Sequence, residues 1–468
     1  MDNANIFRSY LKTPFLVLLV IEACILFFSV YLASYLWFYV DPEKFTEILP
    51  ELWYGASVVA VITPIGMLAT GLYQGQIREG LAGNLLRIGI GFFGSSVIAT
   101  LIFYLNPAVF LNRGVLGGTF IVAFFIIGTL RAVFLESVDS NTFKKRVLVY
   151  GAGLTASHID AKLRRKSDRR GFDIIGYVLL ENQACKVPKT SLVDIKGSLH
   201  DYAEANRIDE IVIATSEMKQ DIEVDELVNC KLNGIRVLDI LSFFEREVGQ
   251  IRIDIMDPTW FVTSDGFRQS QFQDAIKRLF DIVVSILILI VSGPFLLMTI
   301  LAIWFEDGIR SPVFYSQVRV GKRGVLYKVY KFRSMRVDAE KAGEAIWATK
   351  QDNRVTRVGS FIRKTRLDEF PQILNVLNGT MSFVGPRPER PQFVEELSEK
   401  IPYYSERHLV KPGVTGWAQL LYPYGASLND SYQKQFFDMY YVKNHTIFLD
   451  CLILLQTVEV VLFGKGAR

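Results

Sequence analysis

Two adjacent carboxylates, Asp368 and Glu369, end the basic run Arg363-Lys-Thr-Arg-Leu-Asp368-Glu369-Phe-Pro371-Gln372, and a second motif, Gly385-Pro386-Arg387-Pro388-Glu389, follows shortly after. Acid and base lie together there without a histidine. One carboxylate can attack phosphorus to form an acyl phosphate, its neighbour can hold a divalent metal, and arginines can bind the displaced phosphates. The residue types point to phosphoryl chemistry. Taken alone, an acidic and basic turn is most often a solvated helix end whose surface ion pairs contribute little. Pro371 changes the weighing, because proline is tolerated in a first helical turn and so puts Asp368 and Glu369 at the start of a helix running to Asn378-Gly379. An anion is stabilised at that end. Adjacent helical residues diverge by roughly 100°, so one carboxylate can face phosphorus while the other faces a metal.

The elements around this pair suggest a membrane protein. The chain has 468 residues, enough for more than one domain, and 50% of them are hydrophobic. Its mean hydropathy of +0.25 is high for a purely soluble protein. The net charge of +4, with no basic patch on a reading helix, argues against nucleic acid. Cys24, Cys185, Cys230 and Cys451 are too far apart for a zinc spacing and read as buried free thiols of a reducing compartment.

Four apolar runs, about Pro14 to Val40, Leu52 to Tyr73, Leu85 to Leu105 and Gly114 to Leu135, each approach the roughly 20 residues that a spanning helix needs. Four transmembrane helices are expected over residues 1–140. A cleavable signal peptide before a soluble domain does not account for four such runs. Arg8, Lys12, Arg78, Arg87 and Lys144-Lys145-Arg146 flank one side, while Asp41, Glu43 and Glu47 mark a loop on the other. The positive-inside rule then puts both ends of the bundle in the cytoplasm, with Arg113 a mild exception.

From Arg146 the pattern becomes a buried strand, a glycine turn at Gly151-Ala-Gly153 and a helix, the opening of a Rossmann-like α/β domain over residues 141–262. Strands are expected at Ile174 to Leu180, Glu210 to Ala214 and Ile235 to Leu238, and helices at Asp160 to Arg170 and Asp225 to Leu232. The nucleotide signature is weak, because Ala156 stands where a third glycine would be. A scaffold or regulatory role outweighs a bound dinucleotide.

Residues 263–468 form the third expected domain, mainly α-helical. It opens with Lys277-Arg278 and an apolar run from Leu279 to Phe305, interrupted by Ser292-Gly293-Pro294 and followed by Arg310, Arg319, Lys322 and Arg323. Positive charge at both ends and a break in the middle suggest a re-entrant helix-break-helix, with Ser292 and Pro294 at the break, that enters and leaves one leaflet. A kinked fifth transmembrane helix is the alternative.

The chain from about Lys277 onward resembles the bacterial monotopic phosphoglycosyl transferases. The resemblance is carried by Lys331-Phe-Arg333-Ser-Met335, Asp352-Asn-Arg354-Val-Thr-Arg357-Val-Gly359, the Arg363 to Gln372 run, Met381 to Glu389, and Lys411-Pro-Gly413-Val-Thr-Gly416-Trp417. With the bundle and the α/β region in front, it is similar to the long form of that family, the undecaprenyl-phosphate glucose or galactose phosphotransferases of exopolysaccharide, capsule and O-antigen assembly. The resemblance implies transfer of a sugar 1-phosphate from a UDP-sugar to undecaprenyl phosphate at the cytoplasmic face of a bacterial inner membrane, with Mg2+, in a homodimer. It also implies Asp368 as nucleophile, Glu369 as magnesium ligand, Arg363 as lipid-phosphate anchor and Arg387 in the nucleotide-sugar site. Lys331, Arg333, Arg354, Pro386 and Pro388 join the substrate-binding candidates by motif membership, Arg333 being as well read as a structural ion pair. Gly293 stands where the family more often has Ser before Pro, and Phe370 where leucine is commoner.

The aromatic segment from Trp417 to Tyr441, with Tyr422, Tyr424, Phe436, Phe437, Tyr440 and Tyr441, reads either as an amphipathic wall at the membrane interface or as core. Two rival functions are a nucleotide-sugar oxidoreductase built on the α/β region and a non-catalytic scaffold. The first rests only on the weak glycine turn, and the intact Asp368-Glu369 and Arg387 argue against the second.

Overall fold

Each long apolar run is helical in the structure, a computed structural model that describes residues 13–73, 81–106, 109–138, 144–163, 169, 171–180, 183–195, 197–215, 223–264, 266–267, 271–336, 354–422, 425 and 427–462. Arg8, Lys12, Arg78, Asp352, Tyr424 and most of the stretch from Arg164 to Arg170 lie outside the described residues. The chain divides into two units between Gly249 and Gln250, earlier than the expected boundary near 262.

The first unit opens with α1 (Thr13–Trp37), a short α2 (Pro42–Ile48) capped by Asp41, α3 (Leu52–Ala69), α4 (Leu81–Leu105) and α5 (Arg113–Val138). All but α2 are long and apolar enough to cross a membrane. Leu26, Val30, Ala56, Val59, Met67, Ile88, Ala123 and Ile127 face inward and are fully buried, whereas Phe93 and Phe125 point outward. Lipid tails are as apolar as these side chains, so polar contacts inside the bundle matter for its specificity. Glu22 of α1 supplies one, accepting from Arg131 of α5 through Nε (2.5 Å) and Nη2 (2.8 Å) and from the Tyr73 hydroxyl. Arg131 also donates to the Leu72 carbonyl at 2.9 Å, and Arg87 donates to that of Thr70. Cys24 is exposed on α1 and only Cys230 is buried; the four thiols are free, but general burial is not observed, because α1 turns Cys24 away from the helix contacts.

A parallel five-stranded sheet follows, built from β1 (Lys145–Tyr150), β2 (Phe172–Val178), β3 (Leu192–Val193), β4 (Glu210–Ile213) and β5 (Arg236–Asp239) in the order 3-2-1-4-5. Helices α6 (Leu154–Lys162), α7 (Leu199–Ala205), α8 (Val224–Leu232) and α9 (Ile240–Val248) connect and close it. The order reverses between β1 and β4, where such sheets bind ligands. Gly151 sits there at φ +117, and a Cβ on it would lie 2.6 Å from the Ala214 carbonyl oxygen. Gln183 occupies the turn from the same chain: its Oε1 accepts from the Ala152 amide at 2.7 Å, and its amide lies against Gly153.

The second unit contains α10 (Pro258–Thr263), α11 (Gln271–Asp307), the hairpin β6 (Phe314–Val320) and β7 (Leu326–Phe332), α12 (Arg357–Lys364), α13 (Gln372–Leu377), β8 (Ser382–Val384), α14 (Pro391–Lys400), β9 (Gly413–Thr415), α15 (Trp417–Leu421), α16 (Leu428–Asn444) and α17 (Ile447–Leu462). The chain remains helical through Ser292-Gly293-Pro294, contrary to the expected interruption of secondary structure. Proline removes only one helical donor, and Ser292 Oγ bonds back to the Ile288 carbonyl at 2.7 Å within an apolar run that favours helix on both sides.

Both ends of α11 are fixed to the same unit. Arg278 donates to the Val376 and Leu377 carbonyls at the end of α13, and Asp281 accepts from Ser382 Oγ (2.9 Å) and the Phe383 amide (3.1 Å). At the other end Ile303 packs with Val313, Phe332 and Ile362. Asn375 of α13 holds β7 by accepting from the Tyr330 amide (3.0 Å) and donating to the Lys328 carbonyl (2.7 Å). The aromatic segment is core rather than a wall: Phe436, Phe437, Tyr440 and Tyr441 are all buried, and Trp417 stacks on Tyr440 at 5.6 Å.

Strands β8 and β9 pair in parallel, so the loop after β8 meets the start of β9 backbone to backbone. A Cβ on Gly413 would fall 2.1 Å from the Gly385 nitrogen, which no rotamer relieves. Gly413→Ala should destabilise the second unit by on the order of 3 kcal/mol, read as a lower thermal midpoint of the detergent-purified protein. An unchanged midpoint would mean that the two backbones separate freely.

Candidate active site

Helix α12 leads into the acidic pair, and its first turn is held from two sides. Thr356 Oγ1 caps the Gly359 amide at 2.9 Å, while Glu306, near the end of α11, accepts from the Arg357 and Val358 amides at 2.8 and 2.9 Å. A carboxylate satisfies these free amides and complements the helix dipole. The helix stops at Lys364, and Arg366 turns the chain with a left-handed φ of 60. Asp368 and Glu369 then lie on a single 3-10 turn, Leu367–Glu369, and α13 begins only at Gln372. The pair was expected at the start of that helix. The turn closes separately, through the Phe370 amide and the Leu367 carbonyl at 3.2 Å, and Pro371 serves as the N-cap.

Glu369 is the most heavily engaged group. Its Oε1 accepts from Lys331 Nζ of β7 at 2.8 Å and from Arg387 Nη2 at 3.1 Å. Burial alone would raise this carboxyl, but Arg387, Lys331 and Arg366 outweigh it and hold Glu369 well below the usual carboxylate range. Asp368 shifts the other way. Burial raises it first and the charge of Glu369 second, with Lys331, Arg363 and Arg366 opposing only in part. Its Oδ1 is buried without a hydrogen-bond partner among the described residues. One carboxylate is thus fixed as an anion by cations while its neighbour keeps an oxygen uncommitted, a division of roles that environment alone sets.

Arg387 joins this cluster to the loop after β8. Its Nη1 donates to Gln419 Oε1 of α15 at 3.1 Å, and its carbonyl accepts from Arg407 Nη2 at 3.1 Å. Arg407 is itself buried on Asp438 (2.8 Å) and the Tyr404 hydroxyl. The flanking prolines contribute through their carbonyls: Pro386 accepts from the Gly413 amide at 2.9 Å and Pro388 from Arg319 Nη1 at 3.0 Å.

The other sequence candidates separate. Arg363 Nε donates to Ser334 Oγ at 2.9 Å. Arg333 pairs with Asp307 at 2.6 Å and is buried, which favours the structural ion pair at the end of α11, although its Nη1 has no hydrogen-bond partner among the described residues. Arg354 accepts at its carbonyl from the Arg336 amide at 2.9 Å. Ser292 and Pro294 belong to the interior of α11. Sequence reading missed Gln419, Ser334 and Arg407. Ser334 lies inside Lys331 to Met335 and could have been found by weighing every residue of that motif, whereas Gln419 stands two residues beyond the Lys411 to Trp417 motif and would have needed the reading extended past it.

Among the described residues no group of three His, Cys, Asp or Glu is placed to hold a metal ion. Magnesium needs no such cage, since it usually takes one or two carboxylates and completes its shell with water and substrate phosphates. Ionised Glu369 beside the unpartnered Asp368 Oδ1 fits that donor pattern. The opposite shifts of the pair can be tested by charge removal. Glu369→Gln should lower the Asp368 midpoint towards the ordinary carboxylate value in a carboxyl 13C NMR titration, because a raising charge is lost and Lys331 and Arg387 are left uncompensated. A midpoint that stays in place would assign the whole shift to burial.

Comparison with known proteins matches residues 272–464 to a family described as bacterial sugar transferase. UDP-N-acetylgalactosamine-undecaprenyl-phosphate N-acetylgalactosaminephosphotransferase of Aeromonas hydrophila is 40% identical over 52% of this chain, which spans 56% of that protein. Undecaprenyl-phosphate galactose phosphotransferase of Salmonella typhimurium is 31% identical over 69% of this chain and 70% of its own length. UDP-glucose:undecaprenyl-phosphate glucose-1-phosphate transferase of Klebsiella pneumoniae is 35% identical, again over 69% and 70%. These matches extend well beyond the acidic pair, and the chain belongs to the bacterial sugar transferases, in the long form of the phosphoglycosyl transferase family.

Proposed function

We propose that this enzyme transfers a sugar 1-phosphate from a UDP-sugar to undecaprenyl phosphate, releasing UMP, as the first membrane step of polysaccharide assembly. The observation that carries the reading is Asp368 Oδ1, a buried carboxylate oxygen without a partner among the described residues, beside a carboxylate held by two cations. In this mechanism an Asp368 oxygen attacks the β-phosphorus as the bond from that phosphorus to the bridging oxygen breaks, and UMP leaves with the electron pair. The phosphosugar is then an acyl phosphate on Asp368. An oxygen of the lipid phosphate attacks the same phosphorus, the acyl phosphate bond breaks, and the Asp368 carboxylate is restored.

Lys331 and Arg387 fix Glu369 and supply positive charge where two anionic substrates meet. Arg363, steadied by Ser334, is the cation proposed for the lipid phosphate. Glu369, with Asp368 beside it, would hold Mg2+, which when bound neutralises diphosphate charge and favours the leaving group. The three sugars named for the relatives define the donors to try first: N-acetylgalactosamine, galactose and glucose.

The membrane arrangement proposed is four spans, α1 and α3 to α5, with α11 entering and leaving the cytoplasmic leaflet and the enzyme paired as a homodimer, as the family's long form implies. What supports re-entry is that α11 carries its polar contacts at its ends, to α13 and β8 on one side and to α12 on the other. A straight 37-residue helix would be about 55 Å long, well over the roughly 30 Å hydrocarbon core. Crossing would carry those two sets of partners to opposite faces.

UMP release from a panel of UDP-sugars, with magnesium and undecaprenyl phosphate, tests the reading. Asp368→Asn should reduce it at least about 10³-fold while leaving expression and membrane insertion intact; undiminished release would remove Asp368 as nucleophile. The acid limb follows from the raised Asp368 midpoint. Only the ionised carboxylate attacks, so kcat/KM should fall as pH drops through a midpoint above the ordinary value of about 4.

A further inference from the structure

Gln419 has a side-chain orientation that its neighbour decides. Its Oε1 accepts from Arg387 Nη1 at 3.1 Å, and a guanidinium can only donate, so the amide cannot be reversed without setting donor against donor. The Nε2 group is thereby directed away from Arg387. It is buried and has no hydrogen-bond partner among the described residues. A buried donor left unmade is a net cost to a fold and is rarely kept without a reason. The same cluster holds the complementary case, the unpartnered acceptor Asp368 Oδ1. Arg387 and Glu369 connect the two residues in one chain of contacts, Gln419 to Arg387 to Glu369, the residue next to Asp368.

We propose that Gln419 is a substrate-binding residue, its Nε2–H donating to a phosphoryl oxygen of an anionic substrate while its Oε1 holds Arg387 in place. The cationic surroundings select the ligand class, since Arg387 and Lys331 favour anionic oxygens over neutral carbonyls. The proposal rests on the transferase reading for its substrates, which offer two sources of that chemistry, the diphosphate of the UDP-sugar and the phosphate of the lipid.

Two variants separate donation to substrate from support of Arg387. Gln419→Glu keeps an acceptor for Arg387 and loses the donor; Gln419→Met is neutral and loses both. With the full-length protein in detergent, both variants should keep the wild-type thermal midpoint within a few degrees and lose about 10- to 100-fold in kcat/KM, as expected for a hydrogen bond to a charged group. A rise in KM confined to the UDP-sugar assigns the contact to the diphosphate, and one confined to undecaprenyl phosphate assigns it to the lipid. Near-wild-type kinetics in Gln419→Glu with loss only in Gln419→Met would overturn the proposal, leaving Gln419 as a support for Arg387. Wild-type kinetics in Gln419→Met would overturn it as well. Should the wild type release no UMP from any donor, the transferase reading fails separately, and calorimetric titration with UDP decides for Gln419: weaker binding by both variants sustains a phosphoryl contact, and equal binding ends it.

Discussion

The site depends on the sharing of Glu369 by Lys331 and Arg387. Three segments distant in sequence, strand β7, the 3-10 turn and the loop after β8, meet at this one carboxylate oxygen. Through Gln419 the contact reaches α15, and through the Arg387 carbonyl it reaches the buried pair of Arg407 and Asp438. A partly buried ion pair need not stabilise more than an apolar contact of similar size, because desolvation offsets much of the attraction. Its value here is positional. Loss of one member leaves the others charged and partly desolvated, and that asymmetry favours a single arrangement of the cluster.

The same economy of polar contacts organises α11. Its charged residues sit at the two ends, where Arg278 and Asp281 meet α13 and β8 and where Glu306 and Asp307 meet α12 and Arg333. Between them Ile290, Val291 and Leu297 remain exposed. In water such a surface would be an aggregation hazard; in lipid it is already solvated. Glu22 and Arg131 serve the four-helix bundle differently, as a buried pair among residues that otherwise slide past one another without preference.

Much of this was legible in the residues. Apolar run length located the four N-terminal helices to within a few residues at most of their ends, since a span must satisfy its own backbone. The alternation of buried strands and helices located the parallel sheet, although β3, only two residues long, left no periodic trace. The acidic pair, Lys331 and Arg387 were found as residues, but not their joining, because tertiary pairing has no signature in local spacing. Pro294 does not end the helix, because one missing donor is a small loss in a long apolar run. Arg333 illustrates the limit of motif reading: its membership in Lys331 to Met335 could not distinguish substrate contact from the partner Asp307 supplies. The rings of α16 were ambiguous for a similar reason, since aromatic stripes suit a core and an interface equally.

The cap that Glu306 places on α12 has a mechanical side. It joins the last turn of an apolar helix, long enough to cross a membrane, to the first turn of the helix that leads to Arg363 and then Asp368. The turn that carries Asp368 and Glu369 is therefore tied to the end of that apolar helix through two backbone amides, and a shift of the helix end would be passed along α12 to the acidic pair.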